Sequence, residues 1–323
     1  MLFKTPKFWQ TNNFISCILT PLSWIYIIAH RANLAFQTPK KFNKKIICIG
    51  NITAGGAGKT PSAIALCILL KKIGSNSAFV SKNYVGRNTE AKLVNYNKDK
   101  ASDVSDESLL LAKTAPSFTA KDRIEAISFA CTNSNADILI VDDGLQNNRF
   151  LADVKILVVD SQIQFGNKKL LPAGPLRESI NNISKVDFIF QIGGNKNSIK
   201  ELTNFRKKIF IVTPTYKIIE TPEKKYVAFS GIAYPQKFFN ALKQLKLNAV
   251  KEVSFPDHYL YNDQDLKKLE TISKENSAQL ITTEKDYVRI PPNRKDIHTL
   301  KMILKFNKEQ DLLKLLKKKL DIK

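Results

Sequence analysis

The stretch "GNITAGGAGKTP", Gly50 to Pro61, follows the apolar run Ile46–Ile49 and decides the fold. "KKIICIG" reads as a short buried strand, because its apolar residues are continuous, mostly β-branched and bounded by Gly50. "GKTPSAIALCILLKK" reads as a helix, with apolar residues at Ile64, Leu66, Cys67, Leu69 and Leu70 and a basic C-terminal end. Between them lies a glycine-rich loop whose backbone N–H groups can wrap an anion, closed by a helix N-terminus. The nucleotide-binding set is then Thr53, Ala54, Gly55, Gly56, Ala57, Gly58, Lys59 and Thr60. Lys59 would reach the outer phosphates and the Thr60 hydroxyl would sit on Mg²⁺. The usual spacing, G-x-x-x-x-G-K-[ST], puts Thr53 where the first glycine stands, while Gly55, Gly56 and Gly58 still supply flexibility. A glycine-rich turn that holds no nucleotide is the alternative, and the placement of Gly-Lys-Thr at the strand-to-helix junction argues against it.

Outward from the loop, strand-like runs recur with helical stretches between them: Ile46–Ile49, Ala78–Val80, Ile138–Val141, Ile156–Val159, Phe188–Gln191 and Ile209–Val212. That alternation predicts an α/β fold with a mostly parallel sheet covered by helices. The pattern restarts with Val227–Phe229, a helix near Pro235–Leu245, Gln279–Thr282 and Met302–Phe306. The proline- and charge-rich segment between the two series is the natural boundary. The reading is an N-terminal segment (1–36), a P-loop domain (37–214), a linker (215–226) and a smaller α/β domain (227–323).

The chain of 323 residues carries 51 basic against 29 acidic residues, a net charge of +22. Such a balance points to an anionic partner, either a membrane surface, a phosphorylated substrate or nucleic acid. A lysine-rich bias spread over solvated faces is equally consistent with it. No base-reading motif and no basic stripe interleaved with aromatics is present, so nucleic acid is not expected. Cys17, Cys48, Cys67 and Cys131 show no C-x-x-C spacing and read as buried, reduced thiols without a metal. "FISCILTPLSWIYIIA" (Phe14–Ala29) has no charge, but a full span needs about 20 apolar residues, and Pro21 and Ser23 interrupt this one. Trp24 and Tyr26 favour a headgroup boundary, so a membrane-associated helix is expected rather than one packed on the core. "DLLKLLKKKL" (Asp311–Leu320) reads as a basic amphipathic helix, either solvated or touching a membrane.

Further motifs carry chemistry. "ADILIVDDGLQ" ends an apolar strand in Asp142 and Asp143, where the phosphate loop should also open, the expected place for a carboxylate that holds Mg²⁺. "KLLPAGPLRES" presents Arg177 and Glu178 on a rigid loop, which suits charge stabilisation on a transferring phosphoryl group or a plain structural turn. "SDVSDESLLLAK" places Asp103, Asp106 and Glu107 at a helix start, where capping is the default role. "FPDHYLY" holds His258 beside Asp257. Asp106 or His258 could act as a base, but spacing does not select either. "LITTEKDYVRI" has its lysine misplaced for guanine reading, so adenine is the better expectation.

Taken together these residues resemble the tetraacyldisaccharide 4′-kinase family of lipid A biosynthesis. "PLSWIY", "GNITAGGAGKTP", "SDES", "DDGLQ", "LPAGPLRE", "FSGIAYPQKFF", "FPDHYLY" and "TTEKDYVR" occur in that family's order, from about Pro21 to Arg289. The resemblance implies transfer of the ATP γ-phosphate, with Mg²⁺, to the 4′-hydroxyl of a tetraacyl glucosamine disaccharide 1-phosphate. It also implies a P-loop domain hinged to a smaller domain, at the cytoplasmic face of the inner membrane, with no obligate protein partner. By position, Lys59 and Thr60 match the phosphate and metal residues, Asp142 and Asp143 the acidic pair, and Arg177 and Glu178 the conserved loop, with Glu178 expected to join Thr60, Asp142 and Asp143 on the metal. Asp106 matches the family's catalytic aspartate, proposed to take the hydroxyl proton, and His258 the histidine paired with it. Asn147 replaces a histidine after "DDG-x-Q", "SKNYVG" replaces "SRGYG", and "SDES" replaces "GDEP" through Ser105 and Ser108. The competing class is a membrane-associated P-loop ATPase or switch, which would hydrolyse ATP regardless of any lipid acceptor.

Overall fold

The computed structural model describes residues 6–84, 90–218, 225–292 and 294–322. Its first half runs α1 (Phe14–Ile18), α2 (Thr20–Ala35), β1 (Lys45–Gly50), α3 (Lys59–Lys71), β2 (Ser77–Lys82), β3 (Lys92–Leu93), α4 (Ala101–Val104) and α5 (Asp106–Ala112). Then come β4 (Ser117–Ala120), α6 (Arg123–Asn133), β5 (Ile138–Asp142), β6 (Val154–Asp160), β7 (Phe188–Ile192) and β8 (Ile209–Ile218). The remainder is β9 (Tyr226–Ser230), α7 (Pro235–Gln244), β10 (Ala249–Ser254), α8 (Asp263–Glu275), β11 (Gln279–Thr283), α9 (Glu284–Tyr287), β12 (Ile297–Phe306) and α10 (Glu309–Leu320).

All described strands join one sheet, ordered β10-β9-β11-β12-β8-β7-β6-β1-β5-β2-β4-β3. Pairing is parallel except between β12 and β8 and between β3 and β4. Two parallel blocks are thus welded by an antiparallel ribbon in which Val212–Ile218 faces Phe306–Leu300. The sequence places a linker at 215–226, on the strength of the prolines and charges of the segment Thr213–Lys225. In the structure the strand continues through Pro214: β7 pairs β8 only as far as Val212, so Pro214 lies on a free edge where its missing N–H costs no ladder bond. Residues 219–224 of the expected linker, and Val85 and Gly86 of "SKNYVG", lie outside the described residues.

The helix α3 buries Ala63, Leu66, Leu69 and Leu70 against the sheet. Leu312, Leu316 and Leu320 of α10 complete the same cluster, so the apolar face of that terminal helix is spent on the core and not on a membrane. The opposite sheet face is covered by α6 through Ala126, Ile127 and Ala130.

The N-terminal segment forms two helices. Asn13 and Ser16 close a capping box at the start of α1, and Pro21 sits in the first turn of α2, where its missing N–H is free of cost. Pro21 therefore begins a helix rather than interrupting one. Ser23 is buried and donates to Leu170 O at 2.9 Å, while the Tyr26 hydroxyl donates to Arg177 O at 3.2 Å. The helices thus rest on the loop that carries Arg177, and Phe14, Ile15, Ile18, Leu22, Ile25 and Ile28 are left exposed. Among the described residues no helix is long and apolar enough to cross a membrane. Cys17 is exposed, contrary to the expectation of four buried thiols, because its short helix leaves the sulfur at the surface beside Lys169 Nζ; Cys48 and Cys67 are buried and Cys131 is intermediate.

Candidate active site

The phosphate loop opens at the carboxyl edge of β1, into a cavity of about 1120 Å³ walled by both blocks of the sheet. Its entry is held by a strand-like crossing: Thr53 bridges Leu176, Ala54 N donates to Pro175 O at 2.7 Å, and Arg177 N donates to Ile52 O at 2.7 Å. Extended pairing asks for no glycine, which is why a threonine can stand at the first position of the motif. Because their backbone is engaged there, Thr53 and Ala54 precede the cavity, whose wall begins at Gly55. Gly58 has φ +84°, and a Cβ built on it would lie 2.4 Å from Ile192 Cδ1. A Cβ on Gly55, at φ +105°, would meet Tyr234 at 3.3 Å. The glycines therefore allow a backbone that a side chain would fill and strain, as a cradle for a phosphate chain requires.

Beyond the loop, Thr60 Oγ1 donates to Asp142 Oδ2 at 2.7 Å, and Asp142 Oδ1 is buried without a hydrogen-bond partner. Asp143, at φ +53°, turns the chain so that its carboxylate meets Arg177 Nη1 at 3.1 Å and Lys59 Nζ at 3.5 Å. Burial raises the Asp142 carboxyl above the ordinary range, in spite of Lys59 and the Thr60 hydroxyl. Burial pushes Asp143 the same way, yet Lys59, Arg177 and Arg123 overcome it and hold Asp143 at about 2. Two adjacent carboxylates are thus differentiated, one hydrogen-bonded with a spare oxygen and one locked between cations.

Asp106 begins α5, and Ser105 is the N-cap that accepts from Ser108 N. The Asp106 carboxylate, almost fully buried, lies 3.0 Å from His258 Nδ1 and accepts from Arg289 Nε at 2.8 Å. His258 sits at φ +58°, its N–H donating to Gly231 O at 3.1 Å, so the loop after β10 is pinned to the turn after β9. Lys285 Nζ lies 2.8 Å from Glu107 Oε1, 3.8 Å from Asp106 Oδ2 and 3.4 Å from His258 Nε2. Asp106, Glu107 and His258 could together ligate a cation by proximity, but the Lys285 ammonium already stands among them. Burial opposes ionisation of Asp106, but Lys285, Glu107, His258 and Arg289 together hold its carboxyl well below the usual range. Burial and the Lys285 charge lower His258, but the bond to Asp106 and the charges of Glu107 and Asp106 together outweigh them, so the imidazole is raised above 6.5.

A family model described as tetraacyldisaccharide-1-P 4′-kinase matches residues 15–321. The chain belongs to that family. Similar curated proteins are the tetraacyldisaccharide 4′-kinases of Rickettsia bellii, 40% identical and covering 94% of either chain, and Paramagnetospirillum magneticum, 36% identical over 89% of this chain and 90% of the relative. The fold matches the crystal structure of LpxK from Aquifex aeolicus in complex with ATP, with a TM-score of 0.76 and 26% identity, covering 95% of this chain and 100% of that one.

In this member of the tetraacyldisaccharide 4′-kinase family, Lys59, Thr60, Asp106, Asp142, Asp143, Arg177 and His258 all line one cavity. Glu178 does not reach its wall. Successive residues of an extended segment face opposite ways, so with Arg177 on Asp143 the Glu178 carboxylate points instead to Asn182 Nδ2, at 2.7 Å. Asn147 takes up a local role, accepting from Arg149 N at 2.9 Å, and Asn83 Nδ2 donates to Asp103 O at 2.6 Å.

Several residues in or beside this cavity carry no signal in the sequence. Arg123, the first residue of α6, reaches beneath the acidic pair and donates to Asp143 O at 2.8 Å. Lys285 and Arg289 come from the "TTEKDYVR" stretch considered for base reading, which instead supplies cations to Asp106 across the sheet. Asp286 supports them by accepting from Gly231 N, Ser230 Oγ and the Tyr261 hydroxyl. Lys237 pairs with Asp160 at the cavity wall, and burial lowers its ammonium despite that partner. None of these has a local signature, since each partner lies on a distant part of the chain.

Proposed function

We propose that this cavity transfers the γ-phosphoryl group of ATP to the 4′-hydroxyl of a tetraacyl disaccharide 1-phosphate, a late step of lipid A biosynthesis. The observation that carries the reading is the meeting of two half-sites in one cavity: the phosphate loop with Asp142, and the Asp106–His258 pair. The loop amides and Lys59 position the phosphates. Lys59 rests on Asp143 and moves to the more concentrated charge of the nucleotide. Magnesium suits the Thr60–Asp142 corner, because Asp142 Oδ1 is a buried hard oxygen with no other partner. Bound there, it would neutralise charge on the β- and γ-phosphates. Arg177 keeps a further positive charge at the wall.

The acceptor oxygen attacks the γ-phosphorus as the bond to the β–γ bridging oxygen breaks, and the hydroxyl proton leaves to the Asp106–His258 pair. Asp106, held at low pKa, is a weak base alone. Its charge orients the imidazole through Nδ1 and stabilises the imidazolium, so Nε2 receives the proton and Lys285 must yield that position. The exposed apolar side of α1 and α2, resting on the Arg177 loop, lets the protein lie on the cytoplasmic face of the inner membrane where the acylated acceptor resides. The net charge of +22 favours that anionic surface.

The test is ATP-dependent phosphorylation of a tetraacyl disaccharide 1-phosphate in detergent micelles. Wild type should form the 4′-phosphate, and Lys59→Ala and Asp106→Ala should both suppress it. ATP hydrolysis that leaves the lipid unmodified would reject the reading in favour of a P-loop ATPase.

A further inference from the structure

Ser105 stands directly before Asp106 at φ +71° and ψ +152°, a region that glycine occupies readily and other residues almost never. The resemblance noted in the sequence has glycine there and proline where Ser108 stands. In this chain the two replaced positions touch. Ser105 Oγ and Ser108 Oγ are 2.8 Å apart, and Ser108 N donates to Ser105 Oγ at 3.3 Å. Ser108 Oγ lies 2.7 Å from Ser81 Oγ and 3.5 Å from Thr119 Oγ1, and the Thr119 hydroxyl donates to Ser81 O at 3.3 Å. All four side chains are buried.

Each pair of residues is self-consistent and each mixture is not. Glycine accepts the positive φ without cost but offers no oxygen to cap the helix. Proline in the first helical turn has no N–H that needs a cap. A serine at 105 pays for the backbone only if its hydroxyl is used, and a residue with an N–H and a hydroxyl at 108 uses it. We infer that Ser105 and Ser108 act as one coupled positioning device, in which their hydroxyls hold a glycine-type bend that aims Asp106 at His258. The bend sets where α5 begins, and Asp106 must satisfy His258 Nδ1 and Arg289 Nε together from that first helical position. Relaxing φ to a negative value would swing the carboxylate away from both, while the phosphate loop, on another strand, would keep its shape. Neither serine touches the reacting atoms; both act through Asp106.

The inference rests on the kinase reading above. Its test is the kinetics of lipid phosphorylation by the full-length chain carrying Ser105→Ala, Ser105→Gly, Ser108→Pro, or Ser105→Gly with Ser108→Pro together. Each single change should lower kcat about tenfold or more and leave KM for ATP unmoved, and the double change should recover most of the loss. Additive effects, with the double variant slower than either single one, would overturn it. So would single variants that shift only the thermal midpoint and keep full kcat. Should Ser108→Pro fail to fold, Ser105→Ala against Ser105→Gly decides: the device requires alanine, which keeps the strain and loses the hydroxyl, to be the slower. Loss of lipid transfer in wild type would instead strike the kinase reading itself.

Discussion

Asp106 and His258 belong to different blocks of the sheet, and in the proposed mechanism their contact is the point on which the chemistry turns. His258 accepts a proton only when Nε2 is free of one, and the Asp106 bond with the Glu107 and Asp106 charges raises it above 6.5 against burial. The groups that face it are Asp106, Glu107, Asp257 and Lys285. The kcat for lipid phosphorylation should therefore climb with pH through a value above 6.5, and His258→Gln should lower the plateau and remove that limb. A limb that persists in His258→Gln would assign the titration to another group. Arg289 is the buried counter-charge of the pair, bonding Asp106 at 2.8 Å, Gly231 O at 2.7 Å and Asp286 at 3.3 Å. Arg289→Met leaves two buried carboxylates short of their cation and should cost about 3–5 kcal/mol in chemical denaturation. A loss below about 1 kcal/mol would mean that Lys285 or solvent compensates, as it does for surface pairs. Neither Lys285 nor Arg289 was legible in the sequence, because their partners are 178 and 183 residues away and nothing in "TTEKDYVR" announces them. Lys59, Thr60 and the acidic pair were legible because loop and strand-end chemistry is local.

At the scale of elements, the phosphate loop depends on glycine conformation more than on side-chain contacts. Gly58→Ala would place a methyl at φ +84° and 2.4 Å from Ile192 Cδ1. The Ile192 tip can shift, but the dihedral cannot relax without tilting the start of α3. Nucleotide affinity, read by equilibrium binding, should fall by about tenfold or more, and Ile192→Ala should not restore it. Restoration would show that the clash, not the backbone, is decisive. Continuous apolar runs gave β1, β2, β5, β6, β7, β8, β9 and β11 away in the sequence. The strands β3, β4 and β10 escaped, since "KL" is only two residues long, "SFTA" has no apolar run and "AVKEVS" is largely exposed at the sheet edge. Only the second half of β12 was foreseen. Pro214 hid the ribbon between β8 and β12, because the sequence does not say which edge of a strand is free.

The whole molecule joins two parallel blocks of one sheet around one cavity, with an apolar ledge beside them. The ledge is made by α1 and α2, seated on the loop of Arg177 by Ser23 and Tyr26. Replacing Ile15, Ile18, Ile25 and Ile28 by serine should release the protein from vesicles that contain anionic lipid, measured by co-sedimentation, while the fold persists because these residues are outside the core. Unchanged sedimentation would leave charge alone as the membrane attraction. The central claim is that nucleotide and acceptor half-sites act separately within that cavity. The most direct test measures ATP affinity and lipid phosphorylation side by side in Lys59→Met and Asp106→Asn. The account predicts weakened ATP binding in the first, and in the second near-normal ATP binding with transfer reduced by about 10² to 10⁴. Transfer that survives undiminished in Asp106→Asn would contradict it.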